Sequence, residues 1–198
     1  VTPLPVMLLG GGSNVVFPDG NSGLIVVINR TRRIERLEPG VIKVDSGVMI
    51  SDLLTWACVN GTGGMDFLAG IPGTVGGAAA VNAGAFGIAI SSILEKAGIV
   101  TRDGKDHTVD NGYFDFTYRN SKFKYGNEVI VDVCLRVEEQ DPGTVEKAIR
   151  DQEFQFRTLI HSSPEGIVLC DLNGVILMVN KSFFQITRNE RFPVSGDS

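Results

Sequence analysis

The chain has no stretch of about 18 unbroken apolar residues, so the sequence predicts no membrane span. Cysteine is scarce. Cys58, Cys134 and Cys170 are far apart, form no CxxC pair and no metal-ligand spacing, and read as buried free thiols of a reducing compartment. Histidine is scarcer still: His107 reads as part of a polar turn and His161 as a solvated helix end, so no metal site is expected. Basic charge is short as well, with 18 Lys plus Arg against 23 Asp plus Glu and a net charge of −5. That balance argues against non-specific nucleic-acid binding, which needs a basic surface to displace counterions. No GxGxxG turn opens a long helix and no GxxxxGK[ST] occurs, so a Rossmann dinucleotide site and a triphosphatase loop are both poor fits. Val1-Thr2-Pro3-Leu4-Pro5 carries no basic segment and no initiator Met. The expectation is no signal peptide, and a fragment or processed chain.

What the sequence has in excess is glycine: 24 of 198 residues, about 12%, against a usual ~7%. Sixteen of the 24 lie between Gly10 and Gly87. The rest of the composition, 43% hydrophobic and 21% charged, is that of a globular protein. Val6 to Leu9 reads as a buried strand running into Gly10-Gly11-Gly12, and Leu24 to Ile28 as a second strand after a turn over Pro18 to Gly23. Ile34 to Leu37 and Val41 to Val44 flank Glu38-Pro39-Gly40 and predict a hairpin. Ser51-Asp52 reads as the N-cap of a helix that Asn60-Gly61 ends. Strands are expected at Ile93 to Val100 and at Val129 to Val137, where Val129, Val131, Val133, Leu135 and Val137 alternate strictly. Residues 144–161 predict a helix, followed by two strands joined by a turn over Asp171 to Gly174, and a helix from about Lys181 to Thr187. A domain boundary is expected near 140–152: residues 1–140 as one domain, 141–155 as a linker helix, 156–198 as a second, partial domain.

Three constellations carry the chemistry. In the first, Gly10, Gly11 and Gly12 follow a strand and precede Ser13 and Asn14. Residues without Cβ let a bulky anion approach, and successive N–H groups with two polar side chains can converge on phosphate oxygens. The plain alternative is a glycine turn. In the second, Gly70, Ile71, Pro72, Gly73, Thr74, Gly76 and Gly77 are followed by Asn82, Ala83 and Gly84, with Pro72 stiffening the loop. Neither loop holds an acid, a base or a cysteine, which suits cradling of a diphosphate cofactor better than direct chemistry. The alternative is a small-residue core. In the third, Arg119 beside Tyr118 offers a planar fork for a carboxylate or phosphate, the alternative being a solvated strand end.

Taken together, Leu9-Gly-Gly-Gly-Ser-Asn14, Ala69-Gly-Ile-Pro-Gly-Thr-Val-Gly-Gly77, Asn82-Ala-Gly-Ala85 and Tyr118-Arg-Asn-Ser121 make the chain from about Val6 to Val137 resemble a known family. It is the FAD-binding region of the UDP-N-acetylenolpyruvoylglucosamine reductases (MurB, the UDP-N-acetylmuramate dehydrogenases of peptidoglycan precursor synthesis). The resemblance implies an α+β fold of the vanillyl-alcohol-oxidase (PCMH) type, with FAD between two subdomains and its diphosphate on the glycine loops. It implies NADPH as reductant, a UDP-sugar as the small-molecule substrate, and a cytoplasmic location. Arg119 is then the residue that polarises the enolpyruvyl carboxylate, and Tyr118 helps to shape that pocket. The family's first βαβ segment, its substrate-domain serine acid and its late glutamate find no counterpart here, so turnover is expected to be incomplete.

Residues 156–187 resemble the opening of a PAS sensor domain: an entering helix, two strands joined at Asp171-Leu-Asn-Gly174, and Asn180 opening a helix. The tail is therefore a partial PAS-like α/β segment and a candidate partner-binding element. Two further readings stay open: a flavin-binding redox sensor coupled to the PAS segment, and a non-catalytic fragment or fusion.

Overall fold

The computed structural model describes residues 6–13, 15, 24–170 and 176–187. Asn14, the expected turn over Pro18 to Gly23 and the turn over Asp171 to Gly174 lie outside the described residues, as does the side chain of Cys170. In chain order the strands and helices are β1 (Val6–Leu9), β2 (Ile25–Ile28), β3 (Ile34–Glu38), β4 (Val41–Asp45), α1 (Ile50–Asn60), β5 (Thr62–Gly63), α2 (Val75–Ala80), β6 (Gly84–Ala85) and β7 (Ile88–Ala89). There follow β8 (Leu94–Val100), β9 (Asp106–Asp110), β10 (Val129–Arg136), β11 (Glu138–Glu139), α3 (Pro142–Ser162), β12 (Val168–Cys170), β13 (Ile176–Val179) and α4 (Lys181–Thr187).

The centre is a five-stranded antiparallel sheet in the order β3-β4-β10-β8-β9. Its inward residues Ile42, Val44, Ala97, Ile99, Val133 and Leu135 are buried in one apolar cluster with Leu53, Ala57, Leu68, Val75 and Ala79. Helices thus cover one face of an antiparallel sheet, the α+β arrangement. The hairpin between β3 and β4 forms as expected, and Gly61, in the left-handed conformation, ends α1.

Five expectations need correction. Val6, Met7 and Leu8 are exposed and only Leu9 is buried. β1 pairs in parallel with β2 alone, and no further strand extends that pair among the described residues. The α1 cap is Met49, not Ser51 or Asp52, and no side chain caps the helix. Met49 is held in a bridge with Thr74, and the Ile50 N–H donates to Gly73 O at 2.9 Å, so a backbone partner takes the place of a capping side chain. In β10 the alternation slips: a bulge between Ile130 and Asp132 buries Ile130 and turns Val131 outward. Finally, His107 lies in the edge strand β9 rather than a turn, and Cys58 and Cys134 are half-buried, each thiol pushed up in pKa chiefly by burial.

α3 starts at Asp141, whose carboxylate accepts from the Thr144 N–H at 3.2 Å, with Pro142 in the first turn. It runs 21 residues without interruption, buries Val145 against the core and carries His161, exposed, in its last turn. Its C-terminal end is tied to the tail by Asn180, which is fully buried. The Asn180 amide donates to Ile160 O at 3.0 Å and Glu165 O at 2.7 Å, and its oxygen accepts from the N–H groups of Ile167 and Phe183. No described helix is long and apolar enough to cross a membrane.

Candidate functional site

The two glycine loops meet. A Cβ on Gly10 would collide with Thr74 Oγ1, and one on Gly11 would stand 2.8 Å from the Gly73 Cα. The Ser13 hydroxyl donates to Pro72 O at 3.1 Å. Glycine is therefore required at 10 by close approach of the Thr74 side chain and at 11 by close approach of backbone to backbone. Gly70 is required for another reason: its φ of +81° lies in the left-handed region. The second loop is fixed from behind, because Val75 N–H donates to Val48 O and Gly76 N–H to Ser46 O. Thr74 caps α2, its hydroxyl accepting from Gly77 N–H at 3.2 Å.

Among the described residues, the N–H groups of Gly11, Gly12, Ser13, Gly73 and Thr74 have no hydrogen-bond partner. Gly73 and Thr74 are buried, and Gly11 to Ser13 half-buried. Buried N–H groups are nearly always paired, so the open donors of Gly73 and Thr74, with the three half-buried ones on the touching loop, are available to an acceptor-rich ligand. The loops open onto a cavity of about 770 Å³ lined by Gly10, Thr74, Gly76, Gly77 and Ser46, with residues 123–130 opposite.

Asn82, Ala83 and Gly84 sit beside this cradle rather than in it. Asn82 is buried with φ +49°; its amide donates to Thr117 O at 2.9 Å and its oxygen accepts from Ser91 N–H at 3.3 Å. Ala83 is buried, and a Cβ on Gly84 would collide with Ile88 O. Asn82 thus anchors the turn that carries Tyr118 and Arg119, closed by reciprocal bonds between Thr117 and Asn120, and Ser121 seals it by donating to Ala80 O at 2.7 Å. Tyr118 is 90% exposed, and the Arg119 guanidinium lies 5.9 Å from its ring centre. Arg119 has no carboxylate partner among the described residues, and its φ of +55° holds it out of regular structure.

Glu128, on the far wall, belongs to a cluster that sequence reasoning missed. Tyr113 donates its hydroxyl to Glu128 at 2.7 Å, Lys122 pairs with Glu128 at 3.2 Å, and the Lys122 ammonium lies 3.3 Å from the Tyr113 ring centre. The Tyr113 bond holds the Glu128 carboxyl below its ordinary range, partial burial opposes this, and Lys122 adds to it. Burial pulls the Lys122 ammonium down, but its bonds to Tyr113 and Glu128 outweigh that and leave it raised. The neighbouring Lys122-Phe-Lys-Tyr125 run was the one signal available, and by itself it reads as a solvated strand end. No group of residues suited to a metal ion occurs among the described residues.

Comparison with known proteins decides the family, since the FAD binding domain family matches residues 2–110, more than half of the chain. The chain is a member of that FAD-binding family. Its fold is α+β and PCMH-type, as the resemblance implied. Over 143 residues it is 34% identical to the UDP-N-acetylenolpyruvoylglucosamine reductase of Lactobacillus delbrueckii subsp. bulgaricus, covering 72% of this chain and 48% of that protein. The reductase of Gloeobacter violaceus is 32% identical over 169 residues, covering 84% and 56%. The FAD-binding chain thus spans about half the length of the curated relatives it matches. The crystal structure of the MurB of Thermus caldophilus superposes with a TM-score of 0.66 at 24% identity, covering 79% of this chain and 57% of that one. An alkyldihydroxyacetonephosphate synthase superposes at 0.51 with 21% identity, covering 69% and 27%, a likeness of fold alone. A PAS domain family matches residues 155–197, in agreement with the tail's resemblance.

Proposed function

We propose that this chain is the flavin-holding part of a reductase that uses NADPH to convert UDP-N-acetylenolpyruvoylglucosamine to UDP-N-acetylmuramate in the cytoplasm. The observation that carries the reading is the pair of touching glycine loops with five N–H donors that have no partner among the described residues. These donors suit the diphosphate of FAD, and the absence of Cβ at Gly10 and Gly11 suits its close approach. Bound there, FAD would supply hydride acceptance from the nicotinamide and hydride donation to the enolpyruvyl group. In this reading Gly10 to Asn14, Gly70 to Thr74, Gly76 and Gly77 hold the cofactor, and Asn82 to Gly84 support them. Arg119, free of carboxylate partners among the described residues, grips the substrate carboxylate and stabilises the negative charge that develops in the transition state. Tyr118 limits where that carboxylate can sit. The proton that completes the reduction is assigned to no residue of this chain. Residues 1–140 form the cofactor domain, 141–155 the joining helix and 156–198 the partial PAS-like domain, a candidate for partner binding.

The test is stepwise. FAD-loaded protein is treated with NADPH without oxygen and then with the enolpyruvyl sugar nucleotide, following flavin absorbance. Bleaching by NADPH and recovery with the sugar nucleotide are expected. Failure to take up FAD overturns the cofactor assignment; bleaching with no recovery overturns the reductase assignment for this chain.

A further inference from the structure

The glycine loop at 70–73 has two sides. One touches Gly11 and Ser13. On the other stands Phe156 of α3: a Cβ on Gly70 would lie 2.5 Å from its Cδ1 and 2.9 Å from its Cγ. The ring is thus seated on the backbone of a residue in the left-handed conformation, where any side chain would displace it. Phe156 also lines a second cavity, of about 450 Å³, with Gly70, Ile71, Pro72 and, from the tail, Leu169 and Met178. Phe156 belongs to the stretch that matches the PAS family, not the FAD-binding family. Its helix is fixed at both ends, by Val145 in the core and by Asn180 in the tail. A fixed helix that presses an aromatic ring on a loop restricts that loop more than a mobile surface would.

We propose that Phe156 is a positioning residue for the 70–73 loop, so that a side chain of the PAS-like segment sets the geometry of the open N–H donors at Gly73 and Thr74. The part of this that concerns FAD rests on the function proposed above; the part that concerns the loop does not. Removal of the ring leaves Gly70 to Thr74 free to sample other conformations, and the donors are then no longer held in one arrangement.

The test uses the full chain with Phe156→Ala and Phe156→Leu. Without added cofactor, hydrogen exchange is read at the bonded amides that hold the loop, Ile71 to Leu68 O, Ile50 to Gly73 O and Val75 to Val48 O. With FAD, affinity is read by quenching of flavin fluorescence, and the flavin absorption band by its position. Phe156→Ala is expected to speed exchange at those amides, to weaken FAD binding about fivefold or more and to shift the band, with Phe156→Leu recovering most of each change. A general loss of stability would speed exchange throughout the sheet and leave the band in place. Unchanged exchange at Ile50, Ile71 and Val75 in a folded Phe156→Ala overturns the proposal. If that variant does not fold, wild-type exchange, affinity and band position in Phe156→Tyr, whose added hydroxyl disturbs the seat, overturn it equally. If the wild type takes up no FAD, the cofactor reading fails while the exchange measurement still decides the role of Phe156.

Discussion

Glu128 shows how one side chain collects several effects at the cavity wall. It accepts from the Tyr113 hydroxyl and pairs with Lys122 at distances of 2.7 and 3.2 Å. Its pKa is lowered by folding, first through Tyr113 and then through Lys122, against the opposing effect of burial. A group with a depressed folded pKa adds stability above its unfolded pKa and loses it as pH falls through the folded value. Glu128→Gln is therefore expected to cost about 0.2–1 kcal/mol at neutral pH, the range of partly exposed ion pairs. The difference from wild type should vanish in acid, below the folded pKa, in urea unfolding curves taken across pH. At this scale the sequence is read unevenly. Gly10 to Gly12 and Gly70 to Gly77 stand out because a glycine cluster has few other uses. The clamp made by Asn82 does not, because its partner Thr117 lies 35 residues away and is fixed only by the fold.

Among the elements, β10 is one where pattern and structure part company. Its alternation reads Val131 as inward, yet the bulge beside it exposes Val131 and buries Ile130, while Val133 and Leu135 keep their expected side. The irregularity lies on the β8 side, where Ile130 and Asp132 face Ile99 and Gly98, Val131 is the extra residue between them, and the Asp132 carboxylate accepts from Gly98 N–H at 3.2 Å. Leu135→Ala should then cost about 2–5 kcal/mol. Val131→Ala should stay within about 0.5 kcal/mol, as at a surface position. Similar losses for both in chemical denaturation would refute the bulged register. The start of α1 teaches a related lesson. Ser51 and Asp52 are sound capping residue types, but the bridge of Met49 to Thr74 had already supplied the helix with its entry. Local propensity loses to a partner that only the tertiary structure provides.

Over the whole molecule, the main strands and helices were legible because each has a period of its own, whereas the α+β class came from the resemblance to the FAD-binding family. The meeting of the two glycine loops was inferred from their likeness and depends on contacts across about sixty residues. The pressing of the tail upon the second loop left no trace in the sequence, since Phe156 reads simply as part of a helical apolar stripe. α3 runs from just after β11 into the PAS match as one 21-residue helix, and the expected joining segment 141–155 is its N-terminal part with the capping Asp141. The consequence reaches beyond binding. A protease cuts extended, yielding chain, and a seam made of continuous helix with Val145 buried offers none. Brief digestion of the native protein should therefore give no cleavage between residues 142 and 156, and accumulation of two halves cut there would contradict the shared helix. Inside a cell, the two parts would then live and be cleared together.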